Sequence, residues 1–386
     1  MPPMRRTRSL LLVPALLLLA ACETTNIVPA GDATATLEDD ERRMWKRAAE
    51  EEAILERSGF VANVPELESY LDGIVAGLKP EPLAEGASFR VRVLVDPALN
   101  AFAMPNGAVY IHTGILARLE NEAQLATVLA HEITHATHRH GLKSFRNFKN
   151  KTAFAAAFNA GTAGVGGLLG AIGAASAISG YSQDLEREAD VTGFRMIAAA
   201  GYDPRECSKV FKVLLAESKR SKIKQPFFFG SHPRLEERNA SFEQLVAAVP
   251  ADRRNDRVDA EEFAERQLDI LLLNAIAAQQ AGDADFARDC AQRFRQHRPD
   301  NPHALLVLAD VERKRGDDDE ALRLYRETTD AHSEFADGFR GLGLALFKRG
   351  DHADAAAAFR RYLELAPAAA DRGHVESLLQ QCEPRL

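Results

Sequence analysis

Hydrophobic and polar positions alternate in two short segments near the middle of the chain. From Phe89 to Asp96, apolar residues alternate with Arg90 and Arg92, a pattern that predicts a strand. A second strand is predicted over Ala108–His112, directly after the turn residues Pro105-Asn106-Gly107. We interpret this second strand as a sheet edge, to which an extended peptide could add.

A helical period replaces this alternation in the two segments that follow. Asn121 is the predicted N-cap of the first helix, which we expect to end near Gly141. The second helix is predicted to run from Ser182 to Ala200 and to end at Gly201. Between them, residues 152–183 carry no charge and are rich in Ala and Gly. We interpret this stretch as a mobile flap or helical pair over a cleft, in preference to a membrane span.

The first helix carries His131-Glu132-Ile133-Thr134-His135. Residues four apart share a helix face, so both imidazoles can reach one ion. A catalytic zinc ion takes three protein ligands, often neutral imidazoles, and keeps one position open for water. Glu132 is placed to accept a proton from that water and to pass it to a leaving amine. The H-E-x-x-H pattern therefore predicts a zinc peptidase, provided that a third ligand exists.

The start of the second helix offers the third ligand. Glu186 and Asp190 are four apart and share a face, so Glu186 could complete a His, His, Glu set. Asp190 could then accept the outer N–H of His131. The alternative is a solvated acidic helix start, favoured by the helix dipole. His138 and His140 are predicted to have no metal role, with His140 exposed at a helix end.

The C-terminal part repeats with a period of 34 residues. The small residues that recur at fixed places in each unit are Gly282, Gly316, Gly350, Ala287, Ala321 and Ala355. Pro299 and Pro367 follow the first and third units, while Ser333 stands in the middle one. This is the tetratricopeptide period, with 372–382 as a closing helix. Such a stack offers a concave surface to a protein partner.

The first residues have the layout of an export signal. Residues 1–21 form a basic flank followed by an apolar run, which ends Leu19-Ala20-Ala21-Cys22. This matches a bacterial lipobox and predicts a lipid on Cys22, with ordinary cleavage as the alternative. Residues 22–40 are polar and are predicted to form a flexible tether. Because Glu23 is not the Asp that retains lipoproteins at the inner membrane, we expect the periplasmic face of the outer membrane.

The net charge and the cysteine content restrict the expected partners and disulfide bonds. The net charge is -8 and no basic stripe occurs, so nucleic acid is not an expected partner. Beyond Cys22, the cysteines are Cys207, Cys290 and Cys382, which allow one disulfide in three pairings. A Cys290–Cys382 bond would join the two ends of the repeat region. None has the spacing of a zinc ligand.

Three separated motifs resemble one known family. They occur in the order found in the HtpX, Oma and CaaX-prenyl-protease type of metallopeptidase, peptidase family M48. The motifs are the stretch Asn100–Ala103 with the helix through His135, the Glu186–Asp190 segment, and Ser231-His232-Pro233 with Arg238. The resemblance covers roughly residues 41–249 and implies Glu186 as third ligand. It also implies that His232 and Arg238 contact the transition-state oxyanion or the substrate. In the periplasmic branch with repeats, this His can be a switchable fourth ligand.

These observations together predict a mainly α protein with a small β-sheet. A zincin (gluzincin) metalloprotease domain over 41–250 precedes an α-solenoid of tetratricopeptide-like repeats over 251–386. The expected function is that of a metalloendopeptidase of the cell envelope, which holds one Zn²⁺ per chain and cleaves peptide bonds with zinc-activated water. Its expected substrates are misfolded or stalled envelope proteins, including unfolded proteins and outer-membrane proteins. The alternative is a chaperone or assembly factor that acts mainly through its repeats.

Overall fold

The computed structural model describes residues 27–32, 35–84, 87–148, 181–220, 235–251 and 255–382. The predicted signal segment with Cys22 lies outside the described residues, as do most of the uncharged segment and His232. No helix among the described residues is long and apolar enough to cross a membrane.

The described part of the peptidase region contains a three-stranded sheet. Its strands are β1 (Arg90–Leu94), β2 (Ala101–Ala103) and β3 (Ala108–His112). The strand order is β1-β3-β2, with β1 parallel and β2 antiparallel to β3. The predicted strands are therefore present, and β2 is an addition that the sequence pattern does not signal.

The position of β3 differs from the prediction. It lies at the centre of the sheet, so both of its edges already carry ladder hydrogen bonds and the prediction of an edge strand is wrong. The outer edge of β1 is partly covered, because Val61 forms an antiparallel bridge with Leu94. Among the described residues, no strand pairs with the outer side of β2.

Eight helices surround this sheet in the described part of the peptidase region. They are α1 (Asp39–Arg57), α2 (Pro65–Gly77), α3 (Thr113–Arg118), α4 (Glu122–Thr137), α5 (His140–Phe148), α6 (Gln183–Ala199), α7 (Arg205–Arg220) and α8 (Leu235–Ala248). Every residue of α4 is buried, so it is the central helix of the domain. The predicted caps are confirmed: Asn121 accepts from the Gln124 amide, and Gly201 follows α6 with φ of +87°.

The end of α4 lies earlier than expected. It stops at Thr137, and the chain turns at Arg139, which has φ of +55°. Gly141 belongs to α5, so the prediction that it ends the first helix is wrong. A left-handed arginine is unusual and persists only where its surroundings hold it.

The N-terminal segment holds Arg139. The guanidinium pairs with the buried carboxylate of Glu41 and donates to the carbonyls of Val28 and Thr36 at 3.3 and 3.0 Å. The Ala30 amide also donates to the Thr137 carbonyl at 2.7 Å. The prediction of a flexible tether over 22–40 is therefore wrong for the part of it that the structure describes, because that part packs against the end of α4.

Seven helices form the C-terminal region. They are α9 (Ala260–Ala281), α10 (Ala284–His297), α11 (Pro302–Arg315), α12 (Asp318–Ala331), α13 (Ala336–Arg349), α14 (His352–Leu365) and α15 (Arg372–Cys382). Gly282, Gly316 and Gly350 end the first helix of each pair with φ between +85° and +89°. The predicted solenoid of three helix pairs with a closing helix is confirmed.

The first repeat is docked on the peptidase part. The carbonyls at the end of α3 have no partner within their helix. Gln267 donates to the Leu119 carbonyl at 2.9 Å, and Arg293 donates to the Ala117 carbonyl at 2.6 Å. Thr113 and Asn274 form a further buried hydrogen bond of 3.0 Å. The repeats are thus joined to the short helix that precedes α4.

The cysteines do not pair as expected. Cys207 and Cys290 are buried free thiols, in contact with Thr127 and Asn274 respectively. Cys290 lies on α10 in the first repeat, whereas Cys382 ends α15 at the far end of the solenoid. The hypothesis of a Cys290–Cys382 disulfide is therefore wrong, because the stacked helices keep the two residues apart.

We expect Glu41→Ala to lower the free energy of unfolding by about 3–5 kcal/mol, because it leaves the buried Arg139 guanidinium without its carboxylate. Urea unfolding of the full chain measures this change. The control is Asp39→Ala on the exposed side of the same helix, which should change stability by less than about 1 kcal/mol. Equal losses in the two variants would contradict a special role for the buried pair.

Candidate active site

Two buried imidazoles face the same side of α4. His131 and His135 are only 6% and 2% exposed. Their Nε2 atoms lie 3.0 Å apart, and the rings are edge to face. The helix thus presents two nitrogen ligands to one point, as the spacing of four predicts.

Glu186 reaches the same point from α6. Ser182 caps this helix by accepting from the Leu185 amide at 3.4 Å, which places Glu186 in its first turn. α6 packs closely on α4 at Gly193. A Cβ added at this glycine would lie 3.4 Å from the backbone nitrogen of His131. The buried Glu186 carboxylate therefore lies against the two imidazoles.

The distances within this group fit a metal site. The Glu186 carboxylate oxygens lie 3.5 Å from His131 Nε2 and 3.6 Å from His135 Nε2. Ligands of a tetrahedral zinc ion with bonds near 2.05 Å are separated by about 3.3 Å. In the part of the chain that the structure describes, His131, His135 and Glu186 are the residues of ligand type (His, Cys, Asp or Glu) that come close enough together to hold one metal ion. Two neutral imidazoles and one carboxylate suit Zn²⁺.

Asp190 lies behind His131, one turn after Glu186. Its Oδ1 is 3.0 Å from His131 Nδ1, so it can accept the outer N–H of the ring when Nε2 faces the ion. Burial alone would raise the pKa of Asp190, but the Arg238 guanidinium and the contact with His131 hold that pKa well below its usual range. Asp190 is therefore a charged acceptor inside the protein.

Arg238 is placed differently from the expected substrate contact. It is 5% exposed and forms a two-pronged bond with Asp190, at 2.9 and 2.6 Å. Its Nη1 is also 2.9 Å from Glu186 Oε2, and the guanidinium lies over the Phe211 ring at 4.7 Å. Its Nη2 also lies 3.1 and 3.2 Å from Nδ1 and Nε2 of His131. This buried position, in contact with His131 and between two carboxylates, favours an orienting role.

Glu132 is a buried acidic residue of α4. It is 1% exposed and directly follows His131. Tyr181 stacks on His135 with ring centroids 3.9 Å apart. Burial raises the pKa of Tyr181, and the charges of Glu132 and Glu186 raise it further. Glu132 is thus a carboxylate close to the ligand imidazoles, where a general base would need to be.

The other side of His135 holds a residue that the sequence reasoning missed. His140 is fully buried, and its Nδ1 is 2.9 Å from His135 Nδ1. Burial lowers the pKa of His140 to about 4. The prediction of an exposed cation is therefore wrong, because the turn at Arg139 brings His140 back beneath α4. No local sequence signal indicates this burial, because the turn depends on the pairing of Arg139 with the distant Glu41.

A cavity adjoins the ligand set. It has a volume of about 310 Å³ and lies between α6 and α8, bordered by Glu186, Arg238, Val191 and Leu245. Its walls combine apolar side chains with the polar groups of the site. It offers room for a side chain next to Glu186, one of the three candidate ligands.

Family comparisons agree with this geometry. Residues 65–246 match the model of Peptidase family M48, and residues 272–332 and 312–370 match that of Tetratricopeptide repeat. The chain therefore carries a peptidase family M48 domain followed by tetratricopeptide repeats. This confirms the predicted family and fold class.

The proteins similar to this chain include metalloendopeptidases named OMA1 and beta-barrel assembly-enhancing proteases. The mitochondrial metalloendopeptidase OMA1 of Arabidopsis thaliana is 33% identical over 130 residues, 34% of this chain and 26% of the relative. The beta-barrel assembly-enhancing protease of Escherichia coli is 27% identical over 196 residues, 48% of this chain and 40% of the relative. Its namesake in Yersinia pestis is 29% identical over 179 residues, 44% of this chain and 37% of the relative. The chain thus spans less than half of the length of these relatives.

We expect Arg238→Lys to weaken zinc binding by about tenfold or more, because lysine cannot form the two-pronged bond that fixes Asp190 behind His131. Competition with a chromophoric chelator measures the Kd. The control is Arg187→Lys on the exposed side of α6, which should leave the Kd unchanged. If Arg238→Lys kept the wild-type Kd but lost turnover, Arg238 would contact the substrate instead.

Proposed function

We propose that this protein is a zinc-dependent metalloendopeptidase that holds one Zn²⁺ per chain with His131, His135 and Glu186. The observation that carries the proposal is the convergence of the buried ligand groups at 3.0–3.6 Å, with the buried Glu132 next to His131 on the same helix. The family match supports the same chemistry. When bound, a zinc ion there would polarise the scissile carbonyl and lower the pKa of a water molecule.

The remaining steps fall to residues of the chain. Glu132 accepts the proton of the attacking water and returns it to the nitrogen of the leaving amine. Asp190 keeps His131 in the tautomer whose Nε2 faces the ligand set, and Arg238 keeps Asp190 in place. We assign His232 to the developing oxyanion, or alternatively to a switchable fourth ligand position that closes the site.

The substrate is proposed to be an extended polypeptide. No strand among the described residues pairs with the outer edge of β2, and we propose that a substrate adds there, a mode that recognises backbone with little demand on sequence. The cavity between α6 and α8 adjoins Glu186 and could receive a side chain next to the scissile bond. Strand addition favours a broad preference for unfolded segments, and the cavity would add a preference for the side chain at one position.

The repeats and the N-terminus indicate where such a peptidase would act. We propose export, a lipid on Cys22 and a place on the periplasmic face of the outer membrane. There the protein would remove misfolded or stalled envelope proteins and assist outer-membrane protein assembly, with the repeats docking a polypeptide partner. Relatives named beta-barrel assembly-enhancing proteases support this role. The second candidate is a chaperone, which the repeat solenoid favours.

The test compares the full-length wild type in detergent with Glu132→Gln and Glu186→Ala. The wild type should carry about one zinc ion and cleave unfolded casein. Glu132→Gln should keep the zinc ion and lose about a hundredfold or more of the activity, because the amide cannot accept a proton. Glu186→Ala should lose the metal. Metal analysis and a casein assay provide the readouts.

Asp184→Ala is the matched control, because Asp184 lies on the same helix turn as Glu186 but is exposed. It should keep both zinc and activity. A wild type that takes up no zinc would overturn the enzyme proposal. If Glu132→Gln restored the phenotype of a strain lacking the protein as well as the wild type does, the chaperone candidate would be correct.

A further inference from the structure

A chain of polar contacts leads away from His135 on the side opposite the ligand set. His135 Nδ1 lies 2.9 Å from His140 Nδ1, and His140 Nε2 lies 3.1 Å from Glu188 Oε2. His140 is 0% exposed, so its contact with His135 is buried, whereas its contact with Glu188 leads to a partly exposed carboxylate. His131 differs, because Asp190 contacts its outer nitrogen directly.

The order of donors and acceptors along this chain follows from the metal site proposed above, on which this inference rests. If His135 Nε2 binds an ion, the proton of the neutral ring is on Nδ1. That N–H then donates to His140 Nδ1, which must accept. The proton of His140 is consequently on Nε2 and donates to the carboxylate of Glu188. Each contact therefore fixes the tautomer of the ring before it.

We propose that His140 and Glu188 are positioning residues that together hold the ring of His135 in its ligand orientation. A metal-bound histidine needs a partner for its outer nitrogen, and such a partner sets both ring orientation and basicity. For His131 the partner is a carboxylate. For His135 it is an imidazole that passes the contact on to a carboxylate. Neither His140 nor Glu188 touches the point where the ion would bind.

The fold holds both residues in place. His140 follows Arg139, whose left-handed turn reverses the chain and whose guanidinium is fixed by Glu41. Glu188 lies on α6, two residues after Glu186, and faces α5, where Lys143 Nζ is 3.4 Å from its Oε2. The helix that supplies the third ligand therefore also supplies the acceptor for the second ligand's partner.

The experiment measures the zinc Kd of the full-length protein by chelator competition, at a temperature where circular dichroism shows every variant to be folded. His140→Ala should weaken zinc binding by about 10–100-fold. His140→Asn should recover part of this loss, because its Oδ1 occupies the place of Nδ1 and accepts from His135. Glu188→Ala should weaken binding by a smaller factor, about three- to tenfold.

His138→Ala is the matched control. His138 is also buried and lies 3.8 Å from Glu188, but among the described residues its side chain contacts Thr137, Glu188 and His140 and not a ligand histidine. This variant should keep the wild-type Kd. A general loss of packing would lower the affinity of His138→Ala as much as that of His140→Ala, and would overturn the proposal.

The remaining outcomes separate this inference from the proposed function. A wild type without zinc would overturn the metal site itself. A wild type that binds zinc, together with an unchanged Kd in His140→Ala, would overturn only the positioning role. If His140→Ala does not fold, Glu188→Ala decides, because the Glu188 side chain is 38% exposed and tolerates replacement. If Glu188→Ala kept the wild-type Kd, the positioning role of His140 and Glu188 would be overturned.

Discussion

The burial of α4 on every side is the constraint on which the rest of the structure depends. This helix carries two imidazoles and a carboxylate into the protein interior, where polar groups are costly unless they are paired. Neighbouring elements provide the partners. α6 contributes Glu186 and Asp190, and α8 contributes Arg238, which lies between those two carboxylates. The same contacts that make burial tolerable also turn the ligand atoms toward one point.

Each end of α4 is connected to a region outside the core of the peptidase domain. At its C-terminal end, Arg139 joins the helix to Glu41 and the segment that precedes α1. Before its N-terminal end, the carbonyls of α3 accept from Gln267 and Arg293 of the first repeat. The candidate metal site therefore lies on an element fixed by both the N-terminal segment and the repeats. A structural change in the N-terminal segment or in the repeats would therefore act on the metal site through the contacts at the two ends of α4.

Local signals explain what the sequence predicts well. The spacing of His131 and His135, the caps of α4 and α6 and the 34-residue recurrence of glycine are short-range patterns, and the structure shows each of them. The edge position expected for β3 is wrong because β2 has only three residues, too few for a visible alternation. The burial of His140 depends on the turn at Arg139, and a pair 98 residues apart in sequence stabilises that turn. A local pattern does not carry that information.

The most direct test of the central claim is anomalous diffraction at the zinc edge from crystals of the zinc-loaded protein. The account predicts one strong peak per chain, within about 2.0–2.2 Å of His131 Nε2, His135 Nε2 and a carboxylate oxygen of Glu186. A peak at any other group of residues, or a zinc ion bound by only one of the two histidines, would contradict it.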